Sequence, residues 1–399
     1  MSSPSQAAGA SAAVAGQARA TIPLHPFRPL FFLAATFSAL DMVLWALFLR
    51  SGWLPPSPLI SPLWHGHEML FGFGGALISG FLLTATANWT KRATTTPLTL
   101  TGLCIVWLAA RLSFLLNAPL ELSTALDLAW IVILLAMVTR VLVLSRNKRN
   151  YFVIALVLSY GALDAAFLGG AMAQNWVANS ALVWAVDWFT ILMLVIGGRI
   201  IPVFSRNKLP EIKPAVRKPL LMAVNVGAAI ALLLAVAGAD GLVRGAFWLL
   251  LALLALVRLI DWHGWRSLRE PMLWSLHLGY LWLVIGMTLR GLALVGAMGD
   301  VWGNPALHNA IHGITIGALG TLSVSMMTRV AQGHSHVPIK GNTWIAIMFL
   351  LPSVAAIVRL AGGAGAWPEA GFIWTVAYLM YLVAIGPLLV RGRAAVTAR

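Results

Sequence analysis

Long apolar runs separated by short polar segments follow one another along almost the whole chain. Six runs precede the segment PVFSRNKLPEIKPAVRKP at about 201–218, and six follow it. A membrane-spanning helix needs about 20 mostly apolar residues, and each run is close to that length. The runs, bounded by Pro, Gly and basic residues, lie at about 29–49, 63–89, 98–116, 122–144, 151–172, 178–200, 219–237, 243–261, 273–296, 305–328, 342–361 and 368–390. This pattern predicts an all-α polytopic membrane protein with about twelve transmembrane helices.

The composition excludes a soluble globular protein. Of 399 residues, 60% are hydrophobic and 10% are charged, which leaves too few ionic side chains to cover a water-exposed surface. Cys104 is the single cysteine, so an intrachain disulfide and a cysteine-held cluster are excluded as well. We predict a flexible N-terminal tail at 1–22, one twelve-helix transmembrane domain at 23–390 and a basic C-terminal tail at 391–399.

The net charge of +15 reflects membrane orientation rather than nucleic-acid binding, because the basic residues are scattered between apolar runs. Lys and Arg prefer the cytoplasmic side of short loops. Placing the N-terminus and every second loop on one side collects 22 of the 27 basic residues there, which predicts cytoplasmic termini. We interpret the other five, Arg50, Arg111, Arg244, Arg290 and Arg359, as anchors that reach the headgroups; Arg111 has the alternative of pairing with a buried acid or a propionate.

Nine histidines are the remaining soft ligands, and the predicted topology divides most of them between the two membrane faces. His65, His67 and Glu68 open the second span at the outer face. His308 and His312 open the tenth span at the same face. A single intramembrane histidine is often only a hydrogen-bond partner between helices. Two histidines at i and i+4 share one helical face, a spacing that suits one transition-metal ion.

Geometry limits the chemistry of this outer group. His308 and His312 lie on one helix and cannot bind one haem iron from opposite faces, so a haem needs a second helix. His65 and His67 are about 200° apart on a helix and belong to different ligand sets. We expect a haem beside copper or non-haem iron, with Glu68 as ligand, proton donor or hydrogen-bond acceptor. Glu68, His308 and His312 are the predicted catalytic residues.

On the cytoplasmic side lie His25, His277 and His334 with His336, whereas His263 falls in a loop. Arg199, within GGRIIPVFSRN, and Arg329, within MMTRVAQGH, are predicted to bind an anionic group. Haem propionates and phospholipid headgroups are both suitable partners for arginine.

Two further features belong to the spans themselves. Pro202 is predicted to end the sixth helix. Asp41, Asp127, Asp164 and Asp187 fall within or at the ends of spans, where carboxylates can conduct protons.

Six motifs together resemble the NnrS family of haem- and copper-containing bacterial membrane proteins linked to nitric oxide metabolism. They are HPFRPLFFLAA from His25, WHGHEMLFGF through GFLLTATANWT (64–90), GGRIIPVFSRN (197–207), LWSLHLGY (273–280), ALHNAIHGITIGALG (306–320) and MMTRVAQGH ending at His334. The resemblance spans nearly the whole chain. It implies a multi-pass protein of the bacterial inner membrane that relieves nitrosative stress during denitrification, with b-type haem as a cofactor.

Three functions follow as hypotheses. The first is reduction of NO to N2O at the outer group, with an electron-transfer haem at His25, His277 and His334 that receives electrons from quinol or a soluble donor. The second is a non-catalytic NO sensor or a haem or copper handler. The third is a secondary transporter, which is disfavoured because the polar residues cluster at the membrane faces rather than at broken helices near the midplane. NO and membrane lipids are the expected partners; nucleic acid is not.

Overall fold

A computed structural model describes residues 25–298 and 306–391, and helix accounts for 83% of it. The predicted N-terminal tail, the first residue of the predicted tenth span and the C-terminal tail beyond Arg391 lie outside the described residues. Twelve helices within the described part are long and apolar enough to cross a membrane. They are α1 (Phe27–Ser51), α2 (Ser61–Thr90), α3 (Pro97–Leu115), α4 (Leu120–Leu144), α5 (Phe152–Met172), α6 (Val177–Lys208), α7 (Lys218–Val236), α8 (Gly241–Asp261), α9 (Pro271–Leu294), α10 (Ala306–His334), α11 (Thr343–Ala361) and α12 (Trp367–Arg391).

Helix starts follow local rules. Pro97, Pro219 and Pro271 stand in the first turn of α3, α7 and α9, where their missing N–H costs no hydrogen bond. Thr96 caps α3 by accepting from the backbone N–H of Thr99.

The prediction that Pro202 ends α6 is wrong, because the helix continues to Lys208. Proline is tolerated inside membrane helices when neighbouring groups satisfy the carbonyl that it frees. The polar connection between the two halves of the chain is therefore shorter than the sequence pattern suggested.

Four helices form the centre of the bundle. Buried residues make up 78% of the most apolar stretch of α2, 72% of α10, 67% of α9 and 61% of α6, against 22% of α7 at the periphery. The helices α2 and α10 are parallel neighbours. Near their N-terminal ends His65 and His312 line one cavity, and near their C-terminal ends Asn88 Nδ2 lies 3.3 Å from His334 Nε2.

Helices α2 and α10 both change from α-helical to π-helical geometry directly after their histidine motifs. A π-helical turn covers Glu68–Phe73 in α2, and a second covers Gly313–Gly320 in α10. Such turns are rare and occur frequently at functional sites. Both turns lie beside the histidines at the end of the bundle that the basic-residue pattern predicts to be outer.

Candidate functional site: an outer cavity and a buried cluster

A cavity of about 490 Å³ opens between α1, α2, α6, α10 and α12, with Arg359 of α11 at its edge, and three histidines line it. His65 contributes from α2, and His308 and His312 contribute from α10. The remaining walls are mostly apolar and aromatic, and include Trp45 and Trp374. We call this space the outer cavity. Its volume falls in the range of about 300–1,000 Å³ that is usual for small-molecule and cofactor sites.

His65 is held by two residues of α1. Its Nδ1 lies 3.1 Å from Oδ2 of Asp41, a buried carboxylate, and its ring stacks on Trp45 with centroids 4.4 Å apart and planes 2° apart. A histidine that donates Nδ1–H to a carboxylate presents Nε2 as its free basic nitrogen. The orientation of His65 therefore suits coordination from the cavity wall.

His312 is held in a similar way by its own helix. Its Nδ1–H donates to the backbone carbonyl of His308 at 2.8 Å, which also leaves Nε2 as the basic nitrogen. His308 is exposed at the rim of the cavity. Arg359 of α11 lines the same space, stacks 4.0 Å from the ring centroid of Trp367 and hydrogen-bonds Asn309.

A separate polar group, the buried cluster, lies on the other face of α2. It consists of His67 and Glu68 from α2, Arg111 from α3, Asp127 from α4 and Asp164 from α5, all at most 2% exposed. His67 Nδ1 lies 2.9 Å from Glu68 Oε1, and His67 Nε2 lies 3.0 Å from Asp127 Oδ2 and 3.1 Å from Asp164 Oδ1. Arg111 donates to Glu68 at 2.8 Å and also to Asp127.

The interpretation of Arg290 and Arg359 as headgroup anchors is wrong, and for Arg111 the structure shows the alternative, pairing with a buried acid. Arg111 belongs to the buried cluster, Arg290 pairs with Asp187 inside the bundle, and Arg359 is buried beside the outer cavity. A charge inside a membrane protein needs a partner. Acidic partners within the spans serve Arg111 and Arg290, whereas Arg359 donates to the side-chain oxygen of Asn309. Arg50, by contrast, is exposed and pairs with Glu369.

The structure separates the predicted outer ligands into two places. His65, His308 and His312 share the outer cavity, whereas His67 and Glu68 face the buried cluster. This agrees with the predicted angular separation of His65 and His67. Glu68 accepts hydrogen bonds from His67 and Arg111, so it occupies the position of a hydrogen-bond acceptor behind an imidazole.

At the opposite end, His25 and His334 flank the ring of Phe27, with centroid distances of 5.9 and 5.7 Å. Partial burial, aided by the positive charge of Arg28, lowers the pKa of His25 and favours the neutral imidazole. His277 has other neighbours: its Nε2 lies 3.1 Å from Ser205 Oγ. Its buried Nδ1 has no hydrogen-bond partner among the described residues.

The two predicted anion-binding arginines contact aromatic rings. The guanidinium of Arg199 is exposed and lies 5.8 Å from the ring centroid of Phe152. Arg329 stacks 4.0 Å from the ring centroid of Phe204 and donates to the carbonyl of Met272.

Sequence reasoning missed Arg258, which is 4% exposed at the end of α8. It donates to the hydroxyl of Tyr280 at 2.7 Å and to the carbonyl of Leu194 at 2.8 Å. The signal was a lone arginine at the end of the apolar run LLALLALVR. The sequence does not indicate that Arg258 packs against Gly198 of the GGRIIPVFSRN motif. In the structure, a Cβ added to Gly198 would lie 2.8 Å from Arg258 Nη1.

A second, apolar cavity of about 90 Å³ lies between α1, α2, α6, α9 and α10. Phe31, Leu77, Ile196 and Leu276 are among its lining residues. Leu319 lines both this cavity and the outer cavity, so the two spaces are neighbours across one side chain.

The family model described as NnrS protein matches residues 22–393. A search of curated proteins returns no match. Proteins of the matched family are known in general for binding haem and metal ions, and membership suggests a membrane protein connected with nitric oxide. Because the match covers nearly the whole chain, the chain belongs to the NnrS family.

Proposed function

We propose that the protein reduces nitric oxide to N2O at a haem and a second redox-active metal ion held in the outer cavity. The observation that carries this proposal is the meeting of His65 and His312 in one cavity, each with its Nδ1 occupied. The donor set fits, since neutral imidazole nitrogens are ligands of haem iron and of copper or non-haem iron.

His65 and His312 come from two helices, and in this proposal one of them would hold the haem and the other would hold the second ion. His308, one turn from His312, is an additional imidazole for that ion at the cavity rim. When bound, the two metals supply adjacent places for NO and a route for electrons. The reaction joins two NO molecules, two electrons and two protons to give N2O and water.

Residues of this chain supply orientation and charge. Asp41 and Trp45 fix the plane and the tautomer of His65. The buried carboxylate of Asp41 keeps the proton on Nδ1, so Nε2 stays the basic nitrogen. Arg359 places a positive charge in the same cavity, where it attracts an anionic group such as a haem propionate.

The apolar cavity suits delivery of the substrate. Nitric oxide is small and nearly apolar, so it partitions into a bilayer and into spaces lined by hydrocarbon side chains. Leu319 lines both the apolar cavity and the outer cavity. We expect NO to pass between the two spaces when this side chain moves.

We assign electron entry to the opposite end. His25 and His334 flank Phe27 there, and the unpartnered Nδ1 of His277 is a third nitrogen available for ligation. An electron-transfer haem of the b type at this end would receive electrons from quinol or a soluble donor. In this proposal the chain lies in the bacterial inner membrane with both termini in the cytoplasm, and Arg199 and Arg329 bind propionates or lipid headgroups.

The test is anaerobic turnover by purified protein. With a reductant present, we expect NO consumption with one N2O formed per two NO, and at least a tenfold loss of rate for His312→Ala and for His65→Ala. His263→Asn is the matched control, because His263 has φ 53°, a left-handed conformation that Asn tolerates, and it lies between α8 and α9.

The outcomes separate the three hypotheses. Stoichiometric NO binding without N2O formation would contradict the proposal and favour a non-catalytic NO sensor or a haem or copper handler. Accumulation of a solute in vesicles by metal-free protein would replace it by a transporter. Unchanged NO turnover in both His65→Ala and His312→Ala would show that the outer cavity is not the site of NO reduction.

A further inference from the structure

The buried cluster contains three potential ligand atoms on one side and a hydrogen-bonding shell on the other. His67 Nε2 and one carboxylate oxygen each of Asp127 and Asp164 all lie within 4.8 Å of one another. These residues come from α2, α4 and α5, so the group joins three separate helices.

The charges of the cluster are unbalanced. Glu68, Asp127 and Asp164 carry three negative charges when ionised, and Arg111 supplies one positive charge. With a neutral His67 the cluster has a net charge of −2 in a region with at most 2% exposure. An uncompensated charge in such a medium is strongly unfavourable. Two protons or one divalent cation would restore neutrality.

Unpartnered oxygens favour the cation. Asp164 Oδ2 and Asp127 Oδ2 are buried and make no hydrogen bond of good geometry with the described residues. Asp164 has His67 Nε2 as its hydrogen-bond partner, and Asp127 Oδ2 lies beside the same nitrogen. One imidazole N–H serves one acceptor well, whereas a metal ion at that point satisfies several.

The surrounding contacts have the arrangement found behind metal-bound histidines. Glu68 accepts from His67 Nδ1, so Nε2 becomes the coordinating nitrogen. Arg111 holds Glu68 and Asp127, and Trp130 Nε1 donates to Asp127 Oδ1 at 2.6 Å. These bonds fix Asp127 with its other oxygen directed towards His67.

We infer that His67, Asp127 and Asp164 bind one divalent metal ion, at a site distinct from the outer cavity. One imidazole and two carboxylates form a donor set for Mn2+, Fe2+ or Zn2+ rather than for Cu+, which prefers sulfur ligands. The ion ties α2 to α4 and α5 behind the outer cavity. The inference does not depend on the proposed reaction, because it concerns the opposite face of α2.

The experiment uses full-length protein purified in detergent, loaded by prolonged incubation with Mn2+ and washed by gel filtration. Bound Mn2+ is counted by elemental analysis and observed by electron paramagnetic resonance. We expect one tightly held Mn2+ per chain, with at least tenfold weaker binding in Asp164→Asn and Asp127→Asn. Asp41→Asn is the matched control, because it is also a buried aspartate beside a histidine, and we expect it to bind Mn2+ as the wild type does.

A second measurement guards against misfolded variants. Mn2+ should raise the melting temperature of the wild type and leave that of Asp164→Asn unchanged, in samples that both elute as single peaks. Wild type without bound metal and without a thermal shift, or Asp164→Asn that binds like the wild type, would overturn the inference. His312→Ala should bind Mn2+ as the wild type does. Loss of Mn2+ binding in this variant would place the ion in the outer cavity instead. NO turnover is measured separately in the same preparations. Failure of the metal-site inference can therefore be distinguished from failure of the proposed NO reduction.

Discussion

The two faces of α2 use neighbouring histidines in opposite environments. His65 lines a cavity of about 490 Å³, partly exposed, with one carboxylate and one indole fixing its ring. His67 is fully buried, and the rings of Phe71, Phe114 and Phe167 approach it with centroid distances of 5.3, 4.9 and 4.7 Å. The motif HGH therefore places its two histidines in two separate environments rather than in one.

This difference shows how packing selects what an imidazole can bind. A large, flat group can approach Nε2 of His65 because the cavity gives it room. Around His67 the aromatic rings and two carboxylates approach the imidazole closely, which favours protons or a single ion over a large ligand. We expect substitutions on the packed face to disturb folding, and substitutions on the cavity face to disturb folding much less.

Arg111→Met should produce the largest difference between the faces. It removes the one permanent positive charge of the buried cluster and leaves Glu68 and Asp127 without a charged partner. Breaking a buried ion pair from one side costs about 3–5 kcal/mol. The measurement is the free energy of unfolding in mixed micelles, together with the fraction of protein that elutes as a single peak.

Arg50→Met is the matched control for that prediction. Arg50 and Glu369 form an exposed pair, and such pairs contribute little to stability. We expect wild-type behaviour from this variant. Equal losses of unfolding free energy in Arg111→Met and Arg50→Met would mean that the buried cluster contributes no more to stability than an exposed ion pair does.

Two glycines of α2 allow the packing of its two faces to be compared, with smaller expected effects than those of Arg111→Met. A Cβ on Gly75 would lie 2.6 Å from the indole of Trp130, which is itself fully buried. A Cβ on Gly66 would lie 2.8 Å from the Cδ1 of Leu182, a flexible side chain that borders the outer cavity and can move into it. We expect Gly75→Ala to lose about 1–3 kcal/mol through overpacking. Gly66→Ala should stay within about 1 kcal/mol of the wild type, since alanine also improves helix propensity.

Gly102→Ala completes this set as a control, because nothing lies within 4 Å of its added Cβ. All three variants are compared by the same unfolding measurement. If Gly66→Ala is as costly as Gly75→Ala, then the cavity face is as rigidly packed as the cluster face.

The sequence predicted the parts of this arrangement that depend on distance along the chain. The twelve spans follow from the length of apolar runs, and the meeting of His65 with His308 and His312 follows from alternating helix direction. The i,i+4 spacing on α10 and the opposite directions of His65 and His67 on α2 follow from helix geometry. The predicted cytoplasmic location of the termini stays a prediction.

The buried cluster could not be predicted in the same way, because it depends on how α3, α4 and α5 are rotated. Asp127 lies in the run ALDLAW, where apolar residues occupy every side of the helix, so no polar stripe indicates the inward face. Arg111 is four residues from the end of α3, a position that suits both an anchor and a buried pair. Which carboxylate reaches which base is decided by packing between helices.

Trp45→Leu should give the smallest loss of the three destabilising variants and test the cavity face directly. The indole of Trp45 stacks on His65, while Asp41 independently holds Nδ1. Loss of an aromatic stacking pair costs about 0.5–1.5 kcal/mol, and the adjoining cavity already admits rearrangement. We expect a stability loss in that range, with the Nδ1–H tautomer of His65 retained in 15N spectra of histidine-labelled protein. Asp41→Asn should change the 15N signals of that ring far more than Trp45→Leu does. A loss as large as that of Arg111→Met would show that His65, like His67, belongs to a closed core, and the distinction between the two faces of α2 would fail.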